Sequence, residues 1–198
     1  MKKDIIIAGV GGQGIVSIAA IIGYAAVEAG LFLKQSEVHG MSQRGGEVSS
    51  HFRLSDKEVA SDLIPQGKAD IIISVEPMEA LRYLPMLAPG GWVITNSKPF
   101  INIPNYPDID LILGEIENLP NHLAFDADNV AKELRATKSA NIVLLGAASP
   151  FLDIDYVKLE NAIRLIFGRK GEAVVNVNLD ALKKGRDYAE TYQLTASI

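Results

Sequence analysis

The chain has 198 residues, of which 48% are hydrophobic and 22% charged, a balance typical of a folded globular protein with a substantial core. Its net charge of −5 argues against a nucleic-acid-binding protein, which needs a basic surface to engage phosphates. The absence of cysteine excludes disulfides, thiolate catalysis and any iron–sulfur cluster ligated by this chain. The histidines lack a metal-binding spacing and no apolar run suits a signal peptide or a membrane span, so we expect a cytoplasmic protein without a metal site.

The first part of the chain alternates predicted strands with a helix. Asp4–Ala8 is a short isoleucine-rich run, typical of a strand buried on both faces. Ile15–Ala29 is long and apolar enough for a helix, and Gly30 is a suitable residue to end it. Leu31–Val38 predicts a second strand, so the chain begins as the start of a right-handed βαβ unit. Glu47–Leu54 is also extended and can add an antiparallel element.

The remaining chain continues the alternation. Further strands are predicted at 70–75, at 92–96 after a turn at 89–91, and at 123–125. Helices are predicted from Pro77, with an early end at Pro85, and over 130–136, 141–148, 155–167 and 179–192. The proline-rich segment 97–121 is predicted as a loop with a short element at most. Together these elements predict one three-layer α/β/α domain over 1–198, with a mainly parallel, mixed sheet.

A glycine turn follows the first predicted strand and precedes the first predicted helix. Gly9, Gly11 and Gly14 complete the pattern G-x-G-x-x-G, with Gly12 and Gln13 between the last two. In dinucleotide-binding proteins these glycines allow a tight turn, a close approach to phosphate and close helix packing. N–H groups at the helix start would then favour an anion. The alternative is a packing corner without a ligand.

An acidic residue at the end of the second strand is the usual partner of that pattern in nicotinamide enzymes. Glu37 stands at about the expected 20 residues beyond Gly14. It runs directly into VHGMSQRGG, however, which is not how an ordinary ribose-binding strand ends. The sequence therefore disfavours a nicotinamide site.

A second glycine-rich loop, HGMSQRGG, occupies residues 39–46. In a parallel sheet this loop opens at the same edge as the first glycine turn, and ligands bind along that edge. Arg44 offers a fork for a carboxylate or phosphate, but it can equally pair with Glu47 or with an acid of a partner chain. His39 can titrate, or simply satisfy backbone groups, and His51 is expected to be half-exposed on a sheet face.

These motifs together resemble one family. The chain is similar over nearly its whole length to the gamma-type chains of the 2-oxoacid:ferredoxin oxidoreductases, and among them to the small subunits of the indolepyruvate type. HGMSQRGG is the most specific of the shared motifs. The stretches that carry the resemblance are GVGGQGI, EVHGMSQRGG, GKADIIISVEPMEALRYL, GGWVITN, NIVLLGA and VNVNLDALKKG.

The resemblance implies a fold and a function. The implied fold is that of domain III of pyruvate:ferredoxin oxidoreductase. The implied reaction oxidatively decarboxylates a 2-oxoacid, an arylpyruvate for the indolepyruvate type, with coenzyme A, giving acyl-CoA, CO2 and reduced ferredoxin. Thiamine diphosphate and iron–sulfur clusters belong to a large partner subunit, so this chain is expected to bind no cofactor alone and to be inactive alone.

The resemblance also gives the two glycine loops an expected role. They are expected to form one surface that meets the thiamine-bearing subunit or a phosphate of coenzyme A. No residue is expected to be catalytic. The candidate residues are Gly9, Gly11, Gly12, Gln13, Gly14, His39, Ser42, Gln43, Arg44, Gly45 and Gly46. The alternatives are a gamma chain of a pyruvate, 2-oxoglutarate or ketoisovalerate enzyme, and a stand-alone dinucleotide- or anion-binding module.

Overall fold

A computed structural model describes residues 1–40 and 45–196, the last four of these by their backbone only. Within these ranges six strands form one sheet in the order β2-β3-β1-β4-β5-β6. The strands are β1 (Lys2–Val10), β2 (Phe32–His39), β3 (Glu47–Ser55), β4 (Ala69–Ser74), β5 (Leu87–Asn96) and β6 (His122–Phe125). β3 runs antiparallel to both of its neighbours, whereas the β1-β4-β5-β6 pairs are parallel, so the sheet is mixed as predicted.

Helices cover both faces of the sheet. They are α1 (Ile15–Glu28), α2 (Pro77–Arg82), α3 (Ile109–Glu117), α4 (Ala127–Glu133), α5 (Ala140–Ala148), α6 (Tyr156–Phe167) and α7 (Glu172–Ala196). Ile5 and Ile7 face the larger core, built with α1 and α4 to α7, while Ile6 and Ala8 face a smaller core under α2 and α3. This two-sided burial explains the continuous apolar run of β1 and confirms the predicted three layers.

β3 lies between β1 and β2, which corrects the simple βαβ expectation. The β1-α1-β2 connection is present and its two strands are parallel, but they are not neighbours. Burial gives the physical reason. Phe52 and Leu54 of β3 are fully buried, whereas β2 carries Lys34 and Glu37 and suits the edge of a sheet.

Four predicted elements differ clearly from the structure, and one of them is α4, which spans Ala127–Glu133 instead of 130–136. Residues 89–91 are not a separate turn but part of β5, at a register irregularity opposite Ala69 and Ile71. The segment 97–121 contains α3, which Asp108 caps and which buries Ile112 and Ile116. α7 begins seven residues before the predicted start at 179, because its valine- and asparagine-rich first turns pack on α5.

Helices α5 and α7 cross in direct backbone contact. A Cβ added to Gly146 would lie 2.0 Å from the Leu182 carbonyl oxygen, and one added to Gly185 would lie 1.9 Å from the Val143 carbonyl oxygen. Only glycine fits at either position, and the crossing fixes α5 beside the glycine turn. No helix of the described ranges is both long and apolar enough to cross a bilayer.

Candidate functional site

The two glycine loops meet at the carboxyl edge of β1. Val48 of β3 is paired with Gly9 on one side and with His39 on the other, so the loops that follow β1 and β2 emerge at one edge. The Gly11 N–H donates a hydrogen bond to the Gly46 carbonyl oxygen at 2.9 Å. The structure therefore brings together the two candidate loops that the sequence separates by about 30 positions.

Gly9 and Gln13 hold the turn in shape. A Cβ at Gly9 would lie 2.2 Å from a methyl carbon of Val75, the residue after β4, so glycine is required for close packing. The Gln13 side-chain oxygen accepts a hydrogen bond from the Val10 N–H at 2.8 Å, and its amide nitrogen donates to the Val75 carbonyl at 3.4 Å. Gln13 thus braces the turn from within.

Gly12 and Gly14 adopt left-handed backbone conformations, with φ of +100° and +83°, that favour glycine. Gly14 is the residue before α1, and its carbonyl accepts a hydrogen bond from the Asn141 amide of α5 at 3.1 Å. Among the described residues, none accepts a hydrogen bond from the N–H groups of Gly12, Gly14 or Ile15. These donors therefore suit an anion at the start of a 14-residue helix.

A cleft of about 720 Å³ lies against this helix start. Three exposed cations line it: Arg135 and Lys138 from the loop between α4 and α5, and Lys170 just before α7. No carboxylate of the described chain forms an ion pair with any of the three. Ser17 and Asn178 add polar groups to its wall. The cleft is a basic site on a protein of net charge −5.

The cleft continues along the carboxyl edge of the sheet. An adjoining hollow of about 420 Å³ shares Gly12, Gln13 and Lys138 with it and extends past Val75 to Asp128. The two hollows form one continuous groove, in which Arg135 and Lys170 line only the larger part and Asp128 lines only the smaller part. The larger part therefore suits the negatively charged groups of a ligand.

Arg135 occupies a strained backbone position. It has φ of +55°, and it ends α4 with hydrogen bonds from its own N–H to the Lys132 carbonyl and from the Ala136 N–H to the Ala131 carbonyl. This is the helix-ending position at which glycine is normally found. An arginine here accepts a conformational cost of about 1 kcal/mol, which is consistent with a use for its side chain.

The loop at 39–46 is described in part. Ser42, Gln43 and Arg44 of the candidate set lie outside the described residues. His39 contacts the Glu37 carboxylate, and Gly45, with φ of +78°, accepts a hydrogen bond from the Asn102 side chain at its carbonyl. Glu47 pairs with the Arg82 guanidinium at 3.2 Å.

The order of the strands also argues against a nicotinamide nucleotide bound at the glycine turn. Because β3 separates β2 from β1, Glu37 lies two strand spacings, roughly 10 Å, from the glycine turn. Its carboxylate contacts Gln35 as well as His39. Glu37 is therefore badly placed to hold a ribose bound at the turn. His51 is half-buried as expected; its Nδ1 accepts from the Ile64 N–H at 3.1 Å, and burial lowers its pKa.

Two buried glutamates hold the neighbouring edge together. Glu76, after β4, is fully buried and caps α2 by accepting from the Glu79 N–H at 3.0 Å. Glu79 pairs with Arg82 at 2.8 Å, yet burial raises its pKa above the ordinary value. In the described part of the chain no three His, Asp or Glu side chains are placed to hold a metal ion. The groups suited to binding an anion are instead those of the basic cleft at the start of α1.

Sequence reasoning missed the cations of the cleft. Arg135 and Lys138 lie more than 120 positions from Gly14, and nothing in their spacing links them to the glycine turn. The run RATKS before the apolar helix was the available signal, since basic and hydroxyl residues before a helix favour an anion.

The comparison with protein families assigns the chain. The model of the pyruvate ferredoxin/flavodoxin oxidoreductase family matches residues 4–188. The chain belongs to this family. The indolepyruvate oxidoreductase subunit IorB of Pyrococcus horikoshii is 40% identical over 196 residues, covering 93% of this chain and 95% of that protein. The predicted family resemblance is confirmed.

Two solved structures share the fold. A 2-oxoglutarate:ferredoxin oxidoreductase from Magnetococcus marinus, solved with 2-oxoglutarate, coenzyme A and succinyl-CoA bound, matches with a TM-score of 0.76 and 26% identity. The match covers 96% of this chain and 31% of that longer chain. The gamma subunit of a keto/oxoacid ferredoxin oxidoreductase from Geobacter sulfurreducens matches with a TM-score of 0.69 and 26% identity, covering 96% and 98% of the two chains. The predicted fold class is confirmed.

Proposed function

We propose that the chain is the small subunit of an indolepyruvate-type 2-oxoacid:ferredoxin oxidoreductase. In that complex it supports the coenzyme-A-dependent oxidative decarboxylation of an arylpyruvate to acyl-CoA and CO2, with reduction of ferredoxin. The identity to an indolepyruvate oxidoreductase subunit over nearly the full length of both chains supports this substrate class over pyruvate, 2-oxoglutarate and ketoisovalerate. The cytoplasmic location and the single domain over 1–198 stay predictions.

We propose that coenzyme A binds in the basic cleft. Coenzyme A is an elongated molecule with phosphates at one end, and the cleft offers Arg135, Lys138 and Lys170 beside the free N–H groups of the α1 start. Arginine binds phosphate through two N–H donors, and lysine binds it as a point charge. The phosphates lie in this larger part of the groove, away from the Asp128 carboxylate that lines the smaller part.

The redox groups belong to a larger partner in this proposal. The chain has no cysteine, and protein iron–sulfur clusters are held by cysteine thiolates, so the clusters reside on the partner. Thiamine diphosphate, which supplies the decarboxylation chemistry, resides there too. Ferredoxin meets the complex through that partner. We expect the segment 39–46, with its candidate residues Ser42, Gln43 and Arg44, to contact the partner, while Gly12 and Gly14 line the coenzyme A groove.

The test is anaerobic purification of the tagged chain from its native host, followed by analysis of what accompanies it. We expect a stoichiometric larger subunit with thiamine diphosphate and iron, and ferredoxin reduction that requires coenzyme A and is faster with indolepyruvate than with pyruvate or 2-oxoglutarate. The chain alone is expected to be inactive. Recovery of the chain without a partner, together with tight binding of a nicotinamide or flavin nucleotide, would instead identify a stand-alone module.

A further inference from the structure

The segment Pro99–Tyr106, between β5 and α3, exposes three large apolar side chains. The exposed fractions of the side chains of Phe100, Ile101 and Ile103 are 44%, 71% and 42%. Removing such apolar groups from water is favourable in free energy. Residues 99–107 contain no charged side chain in a protein with 22% charged residues. Closely spaced apolar side chains without charge are typical of the centre of a protein interface.

Hydrogen bonds to a buried carboxylate hold this segment in place. One carboxylate oxygen of the fully buried Glu76 accepts hydrogen bonds from the Tyr106 hydroxyl and from the Phe100 N–H, the latter at 3.4 Å. Burial and the Glu76 charge raise the pKa of Tyr106, so the hydroxyl stays protonated and continues to donate. The apolar side chains are therefore presented by a segment that has already lost conformational freedom on folding, which favours binding.

The segment is continuous with the loop that we propose faces the partner. The Asn102 amide donates to the Gly45 carbonyl, and the next residue, Gly46, accepts from Gly11. Asn102 stands between Ile101 and Ile103, so the apolar side chains flank the contact with the 39–46 loop. A partner that contacts Gly45 therefore lies close to Ile101 and Ile103 as well.

We propose that Phe100, Ile101 and Ile103 form a docking patch for the larger subunit of the oxidoreductase, and that the patch fits an uncharged, apolar surface of that subunit. The inference rests on the proposed function, since it takes the larger subunit as given. The absence of charge in residues 99–107 selects an apolar protein surface over an anionic membrane or a nucleic acid, both of which need basic residues.

Substitution of Ile101 by serine tests the docking patch. Titration of the full-length chain into the purified larger subunit measures the dissociation constant. We expect Ile101→Ser to raise it about tenfold, as truncation of a central interface residue does, with no loss of melting temperature in the isolated chain. Leu111→Ser is the matched control, because Leu111 is 70% exposed but lies on α3, and it leaves the dissociation constant at the wild-type value.

Tyr106→Phe tests the fixation separately. It removes the hydroxyl that Glu76 accepts while leaving all three apolar side chains, so the dissociation constant rises less than with Ile101→Ser. If Ile101→Ser binds as tightly as Leu111→Ser, the docking patch is refuted while the proposed function stands. If the wild-type chain itself binds no larger subunit, the proposed function fails and the docking patch fails with it.

Discussion

Gly185 in α7 offers the sharpest test of how the cleft is assembled. An alanine Cβ there would lie 1.9 Å from the Val143 carbonyl oxygen and 2.9 Å from the Ala147 nitrogen, both of α5. Normal contacts are longer than 3.0 Å. The two helices therefore have to separate by roughly 1 Å, which opens gaps elsewhere along the tightly packed α5.

Two opposing effects set how much Gly185→Ala changes the free energy of unfolding. Forcing extra volume into a packed core costs about 3 kcal/mol at the upper end of the usual range. Replacing glycine by alanine inside a helix returns about 1 kcal/mol. We expect Gly185→Ala to lower the free energy of unfolding by about 2 kcal/mol, and for a chain of this length that lowers the melting temperature by roughly 4 to 8 °C.

The assay is thermal unfolding of the isolated chain followed by circular dichroism. Gly114→Ala is the matched control, because Gly114 lies in α3 with open space where the Cβ would go. It keeps the helix gain without the clash and raises the melting temperature by roughly 2 °C. A Gly185→Ala chain that melts at or above the wild-type temperature would refute the close crossing of α5 and α7.

Two further predictions concern the glycine turn and His51. Gly14→Ala destabilises the chain more than Gly12→Ala in urea unfolding, because both have left-handed backbones but only a Cβ at Gly14 meets the Asn141 amide, at 2.4 Å; equal losses would contradict this contact. Because burial lowers the pKa of His51 below the ordinary 6.5, the unfolded chain binds the proton more strongly, and stability falls as the pH drops below that value. His51→Gln reduces this fall in urea titrations above and below that pH, and an unchanged slope would exclude His51 as its cause.

The sequence predicted most elements of the sheet because buried parallel strands leave a strong local signal. The runs DIIIA and DIIIS are continuous and apolar, and both became central strands, β1 and β4. The glycine turn was equally local, since Gly9 to Gly14 stand between a strand and a helix. Pro85 ended α2 early, as its missing N–H requires.

The order of the strands and the cationic cleft could not be predicted from the sequence, because both depend on how distant segments pack together. The alternation in β3 shows that one face of it is apolar, but not that it pairs between β1 and β2, because strand order depends on long-range packing. Arg135 and Lys170 join Gly14 only through the position of α5 and α7, which Gly146 and Gly185 set by backbone contact. α3 was hidden by prolines on both sides of a helix only nine residues long.

The measurement that tests the central claim most directly is the KM for coenzyme A of the assembled complex carrying Arg135→Gly. Glycine suits the backbone at φ +55°, so the variant removes the guanidinium without lowering stability. Asp153→Gly is the control, because Asp153 has φ of +56° but pairs with Lys3 near the amino end of β1, away from the cleft. We predict that Arg135→Gly raises the KM for coenzyme A about tenfold, the loss of one charge-assisted contact, and that Asp153→Gly leaves it unchanged. An Arg135→Gly complex with the wild-type KM for coenzyme A would contradict the assignment of this cleft.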